Sequence, residues 1–175
     1  MNKLSPFKRI AYSAVLVALG VGLGYAFAWL PNIELVSLTA ALAGFIMGIG
    51  AGAFVGALTF MLYSFISPFG MAPPPLWIAQ GIGGALFGMF GGLFAAPMRK
   101  PLYAAAIGIA FTLFYDIITN AAGYFAYPTK ETFVVYMASG IAFGAVHIAS
   151  NAVLFAILFP LLARKVQHFR GNGIK

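Results

Sequence analysis

Between Arg9 and Arg99 the chain carries a single charged residue, Glu34. Between Lys100 and Arg164 it carries three: Asp116, Lys130 and Glu131. Stretches this long and this free of charge offer no face that water would solvate. Apolar runs of about 20 residues are the length at which a helix crosses a hydrocarbon core. The rest of the composition agrees, with 62% hydrophobic and only 7% charged residues, against about 25% charged in soluble domains. The expected fold is an all-α membrane protein, with residues 1–175 forming a single integral membrane domain.

Turn signals divide the chain into six spans, approximately 10–29, 35–47, 53–66, 77–96, 102–127 and 133–162. Pro31-Asn32-Ile33-Glu34 separates the first two. A single helix over 35–66 would be about 48 Å long, too long for a core of about 30 Å. The glycine-rich centre Gly48-Ile49-Gly50-Ala51-Gly52 is therefore read as a reversal. Pro73-Pro74-Pro75 closes an apolar loop over 67–76, because consecutive prolines remove donors and fix φ. Pro97 to Pro101 and Pro128 to Thr132 mark the last two turns. Ala26-Phe27-Ala28 mimics a signal-peptidase site, but the preceding run is long and rich in packing glycines, so an uncleaved first helix is expected.

Six spans put both termini on one side. Lys3, Lys8, Arg9, Arg99, Lys100, Arg164, Lys165, Arg170 and Lys175 then share that side, and Lys130 alone lies opposite. The positive-inside rule makes the crowded side cytoplasmic. The same placement argues that the net charge of +7 is a topology signal and not a nucleic-acid surface. No Walker A motif is present, so ATP-driven work needs another chain. Without cysteine there is no disulfide or thiol nucleophile.

Asp116 stands deep inside an apolar segment, where a carboxylate costs about 2.5–3.5 kcal/mol on insertion scales. Thr112, Asp116, Asn120 and Gly123 recur at helical spacing and so share a face. Comparable stripes are Gly52, Gly56, Thr59 and Tyr63 in the third span, and Trp77, Gln80, Gly84 and Gly88 in the fourth. The sixth has Gly140, Gly144, His147 and Asn151. Lipid disfavours polar groups, so the stripes are expected to face one another. The candidate substrate-binding residues are Glu34, Tyr63, Trp77, Gln80, Asp116, Asn120, Tyr124, His147 and Asn151. They would form an outward-facing pocket under the 31–34 turn and the 67–76 loop. Other roles stand beside this one: Asp116 pairing with His147, Trp77 in the aromatic belt, and the glycines as plain helix packing. Two histidines, one in the tail, give no metal-ligand spacing. Asp116 and His147 lack a neighbouring nucleophile, so no enzyme is expected.

These residues resemble a known family. Pro31-Asn-Ile-Glu-Leu-Val36, the glycine-spaced second and third spans, and Tyr63-Ser-Phe-Ile-Ser-Pro-Phe-Gly-Met-Ala-Pro-Pro-Pro75 are similar to the substrate-binding S components of energy-coupling factor (ECF) vitamin transporters. So are Gln80 with its following glycines and Tyr115-Asp-Ile-Ile-Thr-Asn120. The resemblance implies a multi-pass protein of a bacterial or archaeal plasma membrane that captures a vitamin or related micronutrient from outside. It implies as partners a transmembrane coupling protein and two ATPases, which would use the ATP, with no cofactor in this chain. It implies that Ala14 and Ala18, the small-residue pair of the first helix, dock on the coupling protein. The competing reading is a small autonomous carrier or channel forming a homo-oligomer, which would need a polar path through both leaflets.

Overall fold

The computed structural model describes residues 5–173, with side chains to His168. Lys3 and Lys175, counted above with the basic side, lie outside the described residues, as does the side chain of Arg170. The fold is all-α. Its helices are α1 (Pro6–Ala26), α2 (Val36–Met47), α3 (Ile49–Phe65), α4 (Pro74–Leu93), α5 (Pro101–Ala126) and α6 (Phe133–Gly173), with a short 3-10 turn at Pro97–Arg99. Four of them, α1, α4, α5 and α6, are long and apolar enough to cross a membrane; α2 and α3 are shorter apolar helices. Large apolar side chains lie outward, among them Phe7, Phe54, Phe125 and Val153, as expected where lipid is the solvent. The chain is a multi-span membrane protein.

Local chemistry explains the ends. Ser5 caps α1 by accepting from the Lys8 N–H, and Pro6 occupies the first turn, where its missing donor costs nothing. The same asymmetry places Pro74 and Pro75 inside the first turn of α4. The loop expected over 67–76 therefore ends earlier than its prolines imply. The reversal between α2 and α3 is also tighter than the glycine run indicates. Gly48 alone breaks the helix, at φ 89°, a conformation that costs a side chain dearly, and Gly50 and Gly52 already belong to α3. At the other end of the chain, α6 is one helix of 41 residues that runs on past Pro160.

α2 is the centre of the bundle, with nine of its twelve residues buried. That explains why it is apolar all round instead of amphipathic. It meets α3 and α4 almost backbone to backbone. A methyl group on Gly44 or Gly52 would strike the Gly88 carbonyl, one on Gly56 the Gly84 carbonyl, and one on Gly91 the Ala41 carbonyl. The small-residue stripes thus let three helices approach closely, as in other lipid-embedded bundles. Phe60, Phe87, Phe155 and Phe159 fill the space where α3, α4 and α6 diverge. α5 pairs with α6, and α1 leans on α2 and α3.

The ends of the bundle differ in charge. Ser13 of α1 contacts Met47, and Gly92 of α4 lies against Ile49. The start of α1, the α2–α3 reversal and the end of α4 therefore meet at one end, and the C-terminal part of α6 packs there against the 3-10 turn. Lys8, Arg9, Arg99, Lys100, Arg164 and Lys165 belong to that end, and among the described residues only Lys130 marks the other.

Candidate functional site

The site grows from the connection between α1 and α2. Asn32 adopts φ 60°, the left-handed region that asparagine tolerates better than most residues. Its Nδ2 donates to the Phe143 carbonyl at 2.8 Å, and its own carbonyl accepts from the Ser150 hydroxyl at 2.7 Å. These bonds lay the connection along α6 and carry Glu34 into the bundle. There Glu34 Oε2 accepts from the Ser37 N–H at 2.8 Å, so the carboxylate satisfies an orphan donor at the start of α2. Burial by itself would raise the pKa of this carboxyl. The hydrogen bonds and charge of His147, with the bond from Ser37, outweigh burial and hold it below the ordinary 4.5.

His147 lies between two carboxylates. Its Nδ1 stands 2.8 Å from Asp116 Oδ1 and its Nε2 3.4 Å from Glu34 Oε1. An imidazole protonated on both nitrogens donates to both acceptors. Asn151, one turn further along α6, donates to Thr112 Oγ1 at 2.9 Å and to Glu34 Oε1 at 3.4 Å. Asp116, His147, Asn151 and Thr112 are all buried. One connected polar network therefore ties α2, α5 and α6 together. Three buried side-chain atoms in and beside it have no hydrogen-bond partner: Asp116 Oδ2, Asn151 Oδ1 and Ser37 Oγ, and of these only Asp116 belongs to a residue that also borders a cavity. Among the described residues no three His, Cys, Asp or Glu groups are disposed to hold a metal ion.

Beside Asp116 lies a cavity of about 240 Å³ between α4, α5 and α6. Gln80, Asp116, Thr119 and Asn120 supply its polar wall, and Tyr115, Tyr127, Tyr136 and Phe143 its rings. Asn32 and Leu76, from the α1–α2 connection and the start of α4, also border it. Every lining residue comes from the end of the bundle away from Arg99 and Lys100, or from the middle. The glycines on this face make the room. A Cβ at Gly144 would stand 2.7 Å from Asp116 Oδ2, and one at Gly140 would run into the Asn120 side chain.

The residues singled out from the sequence divide into three groups. Gln80, Asp116 and Asn120 border the cavity. Glu34, His147 and Asn151 sit behind Asp116 in the polar network. Tyr63, Trp77 and Tyr124 lie elsewhere. Tyr63 packs edge-on against Tyr25 at a centroid distance of 5.9 Å and leans on Gly24. The Trp77 indole donates to the Met61 carbonyl at 2.9 Å, fastening α4 to α3. Tyr124 joins a ring cluster with Phe125, Phe133 and Tyr136. Ala14 and Ala18 line an open apolar groove between α1 and α3, together with Gly22, Gly50 and Phe54.

Three cavity residues carried only weak sequence signals. Tyr115 packs edge-on against His147 at 5.9 Å and lies within hydrogen-bonding reach of Gln80. It sits one residue off the Thr112–Asp116–Asn120 row, where a strict four-residue spacing passes over it. Tyr136 continues the Gly140–Gly144 row one turn back and was legible there. Asn32 sits in a turn, and no periodicity reports on turns. No family model, curated protein or solved structure matches the chain.

Proposed function

We propose that this chain is the substrate-capture subunit of an ECF-type importer, a non-catalytic membrane protein that binds a vitamin or related micronutrient from outside. In this reading all six helices lie in the membrane and both termini are cytoplasmic. Ligand enters the cavity from the end opposite the basic residues. The loaded subunit then reorients against a coupling protein driven by two partner ATPases, and Ala14 and Ala18 lie on the sliding face. The protein belongs in a bacterial or archaeal plasma membrane.

One observation carries the reading: a cavity at the weakly charged end of the bundle, walled by rings, with a buried carboxylate oxygen left unpaired. Buried polar groups without partners are rare in folded proteins, and inside a membrane they mark ligand or ion sites. A concave site with a few convergent polar groups is the usual form of a small-molecule site. The open groove beside Ala14 and Ala18 supports the docking half, because small residues allow close helix approach.

Native mass spectrometry of the purified chain, followed by a binding screen against a vitamin panel, tests the reading. A small molecule bound one-to-one supports it. A ligand-free homo-oligomer overturns it in favour of an autonomous carrier or channel.

A further inference from the structure

The wall of the cavity beside Asp116 carries charge of one sign. Asp116 is its one ionisable acid, and no Lys, Arg or His borders it among the described residues. Asp116 is only 7% exposed; His147 holds Oδ1, and Oδ2 has no partner. With both ring nitrogens of His147 protonated, Glu34, His147 and Asp116 sum to one negative charge. A buried charge without a counter-charge is unfavourable, and a monocation in the cavity beside the Asp116 carboxylate removes the imbalance. An anion would meet a carboxylate with no cationic side chain at the cavity wall to offset it.

The other walls point the same way. Tyr115, Tyr127, Tyr136 and Phe143 surround the space, and aromatic rings attract cations electrostatically, most strongly where water is excluded. The glycines let the walls close tightly on the carboxylate, and Gly144 lies directly over its buried Oδ2. A Cβ at Gly144 would crowd Asp116 Oδ2, and one at Gly123 would stand 2.9 Å from the Tyr136 hydroxyl. Size sets the last limit. At about 240 Å³ the cavity falls below the roughly 300–1,000 Å³ of sites that enclose drug-sized ligands. Corrinoids far exceed it.

We infer, resting on the capture reading, that the cavity takes a compact organic cation of single-ring or quaternary-ammonium size, its charge set beside the Asp116 carboxylate and among the surrounding tyrosine rings. Titration calorimetry on the full chain in detergent at pH 8 tests this with charge-matched probes. The cations are choline and N-methylpyridinium. Their neutral counterparts are 3,3-dimethylbutan-1-ol and 4-methylpyridine, and nicotinate is the anion.

The expected result is one-to-one binding of at least one cation, with its neutral counterpart weaker by about tenfold or more and nicotinate silent. Asp116→Asn should weaken the cation by about tenfold and leave the neutral probe unchanged. Tyr136→Leu, at a less buried position, should weaken the cation by about threefold even where Asp116→Asn fails to fold. A neutral or anionic probe that binds as tightly as the cations overturns the assignment. So does wild-type cation affinity in the folded variants, and so does the failure of both cations at millimolar concentration. The mass spectrum separates this failure from failure of the capture reading. A neutral or acidic molecule held one-to-one removes the cation class and leaves capture standing, whereas a ligand-free oligomer removes capture itself.

Discussion

At the scale of residues, one histidine holds two acids in place. His147 touches both Asp116 and Glu34, and removing one member of a buried ionic group leaves its partners uncompensated. His147→Ala is expected to destabilise the protein by about 3–5 kcal/mol, measured by denaturant unfolding in detergent. Adding Asp116→Asn to His147→Ala should recover part of that loss; a double variant worse than the single would mean the carboxylate is not the source of the cost. Glu34 gives a pH signature. Its folded pKa lies below 4.5, so the folded state binds the proton less readily than the unfolded chain. The stabilisation is then complete above about pH 4.5 and is lost as pH falls through the lower folded value. Glu34→Gln should flatten this acid limb of a thermal-stability profile, and an unchanged limb would assign it to another group.

Among the elements, the α2–α3–α4 contact is the most sensitive to added atoms. Gly88→Ala places a methyl group against the Gly52 backbone, which cannot move aside as a side chain would. Overpacking of this kind costs about 1–3 kcal/mol. Gly22→Ala and Gly50→Ala meet nothing within 4 Å and should stay within about 0.5 kcal/mol of the parent. Parallel melting curves of the three variants check this; Gly88→Ala no less stable than the other two would show that the close backbone contact does not govern, since alanine by propensity alone favours the helix. Gly48→Ala is a separate case. The space around it is open, but φ 89° with ψ 173° is a conformation almost confined to glycine, and a loss of about 1–3 kcal/mol is expected.

For the whole molecule, the decisive property is its orientation, and the absence of cysteine makes that measurable. Single variants Arg99→Cys and Thr129→Cys sit at opposite ends of the bundle. In intact cells a membrane-impermeant maleimide should label Thr129→Cys directly and Arg99→Cys only after permeabilisation. The reverse pattern would invert the topology and with it the side from which the cavity fills. At this scale, too, Ala14→Leu or Ala18→Leu would crowd the α1–α3 groove, far from Asp116. If the chain is the proposed capture subunit, ligand binding should survive in these variants and uptake should stop. Normal uptake in both variants would remove the docking role from that face.

The sequence alone determined the solvent this protein lives in and the positions where its chain turns. Scarce charge and long apolar runs exclude a watery surface, and Pro and Gly act locally, so they mark the neighbourhood of each turn, although Pro74 and Pro75 open α4 and Pro160 lies inside α6. It also marked Asp116, His147 and Asn151, because a polar group in an apolar helix stands out one residue at a time. Only the tertiary structure decided which partner each polar group has. Asp116 lies 31 residues from His147 in sequence and Glu34 113 residues from it, and no periodicity connects such distances. Packing also separated Tyr63, Trp77 and Tyr124 from the cavity and brought Tyr115 and Tyr136 to it. Which face a ring presents depends on how closely the glycines let α2, α3 and α4 approach, and that distance belongs to the assembled bundle and not to any one helix.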